Sequence, residues 1–150
     1  MKKIQREGVI KLSTVIEFIK AGIATIGGYI VWFLGGFDGL LIALCVFALV
    51  DYLTGVISAI INKELSSHIG AKGIARKVLM FFLVGVAAVL DFYVLGGESP
   101  IREVVIAFYI ANEGISIIEN SARLGLPVPQ KLIDVLEQLK SKGDGEDAGV

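Results

Sequence analysis

The sequence predicts an all-α fold: an integral membrane bundle of about four transmembrane helices, followed by a short C-terminal amphipathic helix and assembling into oligomers. Three observations carry this. First, hydrophobic residues make up 55% of the 150-residue chain and charged residues only 19%, with a mean hydropathy of +0.76. Second, the apolar residues gather in four blocks nearly free of charge. About 20 such residues at about 1.5 Å rise cross a hydrocarbon core of about 30 Å. Third, the basic residues gather in alternate connections.

The chain opens on a basic segment, residues 1–20, whose positive charge extends to Lys20. No small-residue cleavage site follows, so it reads as a retained cytoplasmic segment and not a removed signal peptide. The first apolar block, about Ala21–Leu34 (AGIATIGGYIVWFL), is glycine-rich and short for a span unless Val15–Ile19 joins it. The second, about Leu40–Ile61, is the cleanest; the third is about Val78–Leu95. The fourth, about Ile101–Ile118, is the most polar. Breaks at GGFDG (35–39), NKELSSHIGAKGIARK (62–77) and GGESP (96–100) carry the glycine, proline and polar clusters that punctuate helices.

Every Lys and Arg except Arg102 falls before the first block, between the second and third, or after the fourth. Four alternating spans put all three segments on one face, and three spans would scatter them. The positive-inside rule makes that face cytoplasmic, with both termini inside. Lys20, Lys63, Lys72, Arg76 and Lys77 are the basic residues expected at the membrane surface, facing anionic lipid. Beyond the fourth block, Pro127 and Pro129 end one helix and start another. In residues 119–142, Leu132, Ile133, Leu136 and Leu139 recur at helical spacing, giving an amphipathic helix that lies on the membrane, pairs with a copy of itself or stays solvated. Residues 143–150 are small and polar, the composition of a disordered tail.

Three carboxylates fall inside the blocks: Asp51, Asp91 and Glu113. A charge at mid-bilayer costs at least about 2.5 kcal/mol, and none of the blocks holds a central Lys or Arg to pair with them. Asp51, Thr54, Gly55, Ser58 and Asn62 share one helix face, as do Asn112 or Glu113 with Ser116 and Asn120. Such stripes glue helices together, or they line an aqueous pore in an assembly. Asp51, Thr54, Ser58, Asp91, Asn112, Glu113 and Ser116 are therefore the candidate helix-contact or pore-lining residues.

Other classes have little support. A net charge of −1 argues for no nucleic-acid partner. Cys45 stands alone, so neither a disulfide framework nor a metal site follows. Asp51 and Asp91 lack the glycine-x-glycine-aspartate signature of membrane aspartyl proteases. His68, the single histidine, has no triad around it, and the Gly70–Gly73 pair is too little for a phosphate loop. Neither an enzyme nor a cofactor is expected. A small channel or transporter remains an alternative, although no inverted repeat is detectable.

The stretch DYLTGVISAIINKELSSHIGAKGIARKVLMFFLVGVAAVLD, residues 51–91, resembles the core of a bacteriophage holin family, the toxin-secretion or phage-lysis type. So does ANEGISIIENSARLGLPVPQKL, residues 111–132. The resemblance covers most of residues 40–139 and implies a protein of the bacterial inner membrane that is not an enzyme. Such proteins belong to phages and prophages of Gram-positive bacteria, with relatives beside clostridial large toxins. They accumulate harmlessly in membrane lipid, then assemble abruptly as homo-oligomers into a lesion that collapses the membrane potential and passes an endolysin or a secreted toxin. An antiholin partner, or an antiholin role for the chain itself, shares the same architecture.

Overall fold

The computed structural model describes residues 2–97 and 100–144, with side chains described for 13–68, 70–97 and 100–141. Within the described residues five α-helices follow in order: α1 (Lys2–Phe33), α2 (Gly39–Ile61), α3 (Ser67–Val89), α4 (Ile101–Arg123) and α5 (Gln130–Asp144). A π-turn, Leu90–Val94, extends α3. Among the described residues there is no strand. Most of the expected tail, 145–150, lies outside the described residues.

The helix ends follow local chemistry. Asp38 caps α2, its Oδ1 accepting from Leu41 N at 2.8 Å. At the other end Lys63 takes a left-handed φ of 59°, and Glu64 N donates to Ala59 O at 2.9 Å. Helix α4 closes in the same manner at Gly125, where Leu126 N reaches Ser121 O at 3.1 Å. Pro127 and Pro129 then prevent continuation, and α5 starts at Gln130. Between α1 and α2, Gly35 turns at φ +79°; a Cβ there would lie 2.6 Å from the Arg102 side chain, so a residue without Cβ is required for the close approach.

Two boundaries differ from the sequence expectation. Helix α1 runs without a break through Val15–Ile19, and its apolar stretch is Ser13–Phe33. Helix α3 starts at Ser67 and not near Val78, so most of the second connection is helical. No proline interrupts residues 67–89, and Gly70 and Gly73 lie against the Tyr52 ring, which repays the weak propensity of glycine by close packing.

Among the described residues three stretches are long and apolar enough to cross a membrane, Ser13–Phe33, Gly39–Ile61 and Gly70–Val94, where the sequence suggested four. Helix α4 falls short by composition, because Arg102, Glu103, Glu113 and Glu119 sit on it. It is instead the central helix of the bundle, packed against α2, α3 and α5. Partner residues fix its direction: Arg102 meets Asp38 at one end of α2, and Asn120 meets Thr54 farther along. So α2 and α4 run parallel, with α3 antiparallel to both.

The core contains Leu34, Leu41, Leu44, Ala48, Met80, Val84 and Ile106. Outside it the polarity of a water-soluble fold is inverted. Ile42, Val46, Leu49, Leu53 and Ile57 form an exposed apolar stripe on α2, and Leu79, Phe82, Leu83 and Val86 form another on α3. Bands of this kind suit lipid, not water. Among the described residues helix α1 packs on α3, mainly where the Phe33 ring lies over Gly85; its residues 13–30 are exposed all around.

Candidate functional site

Half-way along the bundle, three charged side chains from three helices meet. Lys77 Nζ of α3 donates to Asp51 Oδ2 of α2 at 2.9 Å and to Glu113 Oε2 of α4. Asn120 Nδ2 of α4 adds bonds to Asp51 Oδ1 at 3.2 Å and Thr54 Oγ1 at 3.3 Å. The Thr54 hydroxyl donates to the Asp51 carbonyl at 3.0 Å. All three ionic side chains are 15–19% exposed. Asp51 lies near the midpoint of α2, Glu113 near that of α4, so the network sits at mid-depth.

This corrects the sequence expectation that the acids have no basic partner inside the blocks. Lys77 was expected at the membrane surface. With α3 beginning at Ser67, it falls nearly three turns inside the helix and points inward. Gly70, Gly73, Lys77, Met80, Val84 and Ala88 recur at i, i+3, i+7, i+10, i+14 and i+18, one helical face. That spacing was present in the sequence; the assumed start of the helix concealed it.

The network forms the floor of a cleft of about 500 Å³ between α2, α3 and α4, open toward the α2–α3 connection. Ser58, Gly55, Ser116 and Asn120 line its walls, and Glu64, Arg76, Glu119 and Arg123 stand toward the mouth. On the far side, Leu41, Leu44, Met80, Val84 and Ile106 close the bundle with apolar packing. Ion pairs at partial exposure beside a polar cleft avoid the full desolvation cost of a dry interior.

A second polar cluster lies at the opposite end. Arg102 is 3% exposed; its Nε donates to Leu34 O at 2.6 Å, Nη1 to Asp38 Oδ2 at 2.6 Å, and Nη2 to Gly36 O at 3.3 Å. One guanidinium thus ties the α1–α2 turn to α4. The bonded Arg102 holds the Asp38 carboxyl below its usual range, against the opposing effect of partial burial. Asp91 accepts from Arg102 N at 2.7 Å and Ile101 N at 3.2 Å. It is a cap for α4 supplied from α3, placed by the π-turn and favoured by the α4 dipole.

The structure therefore brings Asp51, Thr54, Ser58, Glu113 and Ser116 to one site, sends Asp91 to the other end, and leaves Asn112 half-buried and off the cleft. Lys20, Lys63, Lys72 and Arg76 are exposed, Lys20 pairing with Glu17 at 3.1 Å. Arg102 and Asp38 were not singled out from sequence. The signal for Arg102 was its isolation as the lone basic residue outside the three basic segments.

Comparisons with known proteins agree with this membrane architecture. The model of the bacteriophage holin family matches residues 28–141. An uncharacterized 14.9 kDa protein of the nagH 3′ region of Clostridium perfringens is 45% identical over 131 residues, 87% of this chain and 99% of the relative. The uncharacterized protein YqxH of Bacillus subtilis is 40% identical over 99 residues, 66% of this chain and 70% of the relative. A probable holin of Bacillus phage phi105 is 38% identical over 96 residues, 64% of this chain and 70% of that protein. No solved structure matches the chain.

Proposed function

The chain belongs to the bacteriophage holin family, and on that premise we propose that it oligomerises in the bacterial cytoplasmic membrane and opens a lesion there. The lesion collapses the membrane potential and lets a cell-wall hydrolase, or a toxin, leave the cell. The protein has no catalytic step in this scheme; its reaction is a change of assembly.

The observation that carries this reading is the mid-depth network of Asp51, Lys77 and Glu113 in a chain of this family. A lone chain in lipid must hide its charges, and here three helices hide them against each other. The α2–α3–α4 unit can then accumulate without leaking, its lower half wet through the cleft and its upper half dry. Helix α4 crosses the membrane with α2 and α3 although its composition is too polar for an isolated span. About 18 residues separate Arg102 from Asn120, about 27 Å of helix laid along α2, close to the hydrocarbon thickness. With four crossings the exposed Lys63, Lys72 and Arg123 lie toward the cytoplasmic face with both termini, while Arg76, next to Lys77, stays in the polar cleft. Asp51, Lys77 and Glu113 act as the helix contact that keeps the unit intact during assembly.

Inducible expression in a bacterium, with membrane potential and release of a co-expressed folded reporter followed together, tests this. A delayed, sudden depolarisation with reporter release is the expected result. Depolarisation without release indicates a small channel. No effect at confirmed membrane insertion refutes the lytic role and leaves an antiholin of the same architecture.

A further inference from the structure

Helix α5 does not lie across the end of the bundle. It folds back along α4, and Leu136, 5% exposed, packs over Gly114. A Cβ on Gly114 would lie 2.8 Å from Leu136 Cδ2 and 3.1 Å from Phe47 Cε1. Gly114 is nine residues from the end of α4, about 14 Å along its axis, and adjoins Glu113. Leu136 is therefore level with the mid-depth ion network. Beyond it α5 continues for two more turns to Asp144.

The face of α5 turned away from α4 carries Lys131, Asp134, Glu137 and Gln138, all exposed, with only Leu132 and Val135 between them. Charged side chains at that depth cannot face hydrocarbon. The same helix is too polar to be a span in its own right. Docking on α4 and exposure of this face to lipid are thus incompatible once α4 crosses the membrane.

We infer that the docked α5 faces water within the membrane thickness, so that its outward charged face lines the lumen when copies assemble, while the apolar stripes of α2 and α3 face lipid. This rests on the holin reading and gives the lesion a lining: Lys131, Asp134, Glu137 and Gln138, of mixed charge. Asp51 and Glu113 remain inside each subunit. The side of the bundle that carries α5 is the side turned toward the other copies around the opening.

Spin labelling of the full chain, with Cys45→Ser as background, tests this in liposomes of phosphatidylethanolamine and phosphatidylglycerol. Labels at Val46→Cys and Glu137→Cys report docking by their separation, and collisional access at position 137 distinguishes water from lipid. A separation within about two helix diameters, roughly 20 Å, with access favouring a water-soluble nickel chelate over oxygen, is expected. A long separation, or access favouring oxygen, overturns the inference. Glu103→Cys and Ala122→Cys, at the two ends of α4, should react with an impermeant maleimide from opposite sides of sealed membranes. Reaction from one side would also overturn it, because the hairpin would then lie outside the bilayer. Dye release from the same liposomes reports on the holin reading separately: leak with an undocked or lipid-facing α5 refutes the inference and leaves the lesion standing, and a docked, wet α5 without leak refutes the lesion and the lining role with it, while the docked, water-facing helix stands.

Discussion

Replacing Lys77 by Met tests the ion network most directly. Methionine keeps the unbranched stem and removes the ammonium, leaving Asp51 and Glu113 without their shared cation at mid-depth. At 2.9 Å and an effective dielectric of about 20, the gross attraction to Asp51 alone is about 6 kcal/mol. Desolvation of the pair cancels much of this, and side-chain exposures of 17% and 19% screen the remainder. Loss of one partner from a buried pair costs about 3–5 kcal/mol, and the partial exposure argues for the lower end, about 3 kcal/mol. That is about a hundredfold in the folding equilibrium. Reversible unfolding of the micellar protein by mixed detergent titration, followed by circular dichroism, gives the number. The triple variant Lys77→Met, Asp51→Asn, Glu113→Gln removes the charges together and should recover most of the loss. A single variant as stable as the parent, or a triple variant no better than the single, would refute the network as the tie between α2, α3 and α4.

Three further outcomes follow from other sites. Arg102→Leu leaves the carbonyls of Leu34 and Gly36 and the Asp38 carboxylate without their donor; a loss of about 3 kcal/mol is expected, with faster proteolysis in the α1–α2 turn. Asp38 has a folded pKa depressed below 3.8 by its bond to Arg102, so its contribution is complete above that value and is lost as pH falls through the lower folded one. Asp38→Asn retains an N-cap residue and should flatten the acid limb of Tm against pH, measured in micelles from pH 6 down to pH 2; an unchanged limb would contradict the pairing. Gly114→Val drives its side chain into Leu136 and Phe47, which should release α5 to unfold locally and speed trypsin cleavage after Lys131 and Lys140, and adding Leu136→Ala should restore part of the protection.

The helices and their lipid-facing surfaces were legible because they depend on short-range pattern. Uncharged blocks of bilayer length, the glycine and polar breaks between them, and Pro127 with Pro129 are local signals that act through hydrogen bonding and dihedral limits within a few residues. The polar faces of Asp51–Thr54–Ser58 and Glu113–Ser116–Asn120 were legible for the same reason, since helical spacing alone aligns them. What these faces meet was not legible. Whether Asp51 and Glu113 line water or bind a cation depends on where Lys77 points, and that depends on α3 starting at Ser67, with Gly70 and Gly73 of its first turns lying against Tyr52 of another helix. Asp91 looked like one more intramembrane acid until the π-turn aimed it at the first amides of α4. The sequence by itself determined which residues must avoid water or lipid, because transfer free energy belongs to each side chain. Only the tertiary structure decided which charges neutralise each other and that α5 returns along α4, because a Coulomb contact and a docked helix depend on distances between segments far apart in the chain.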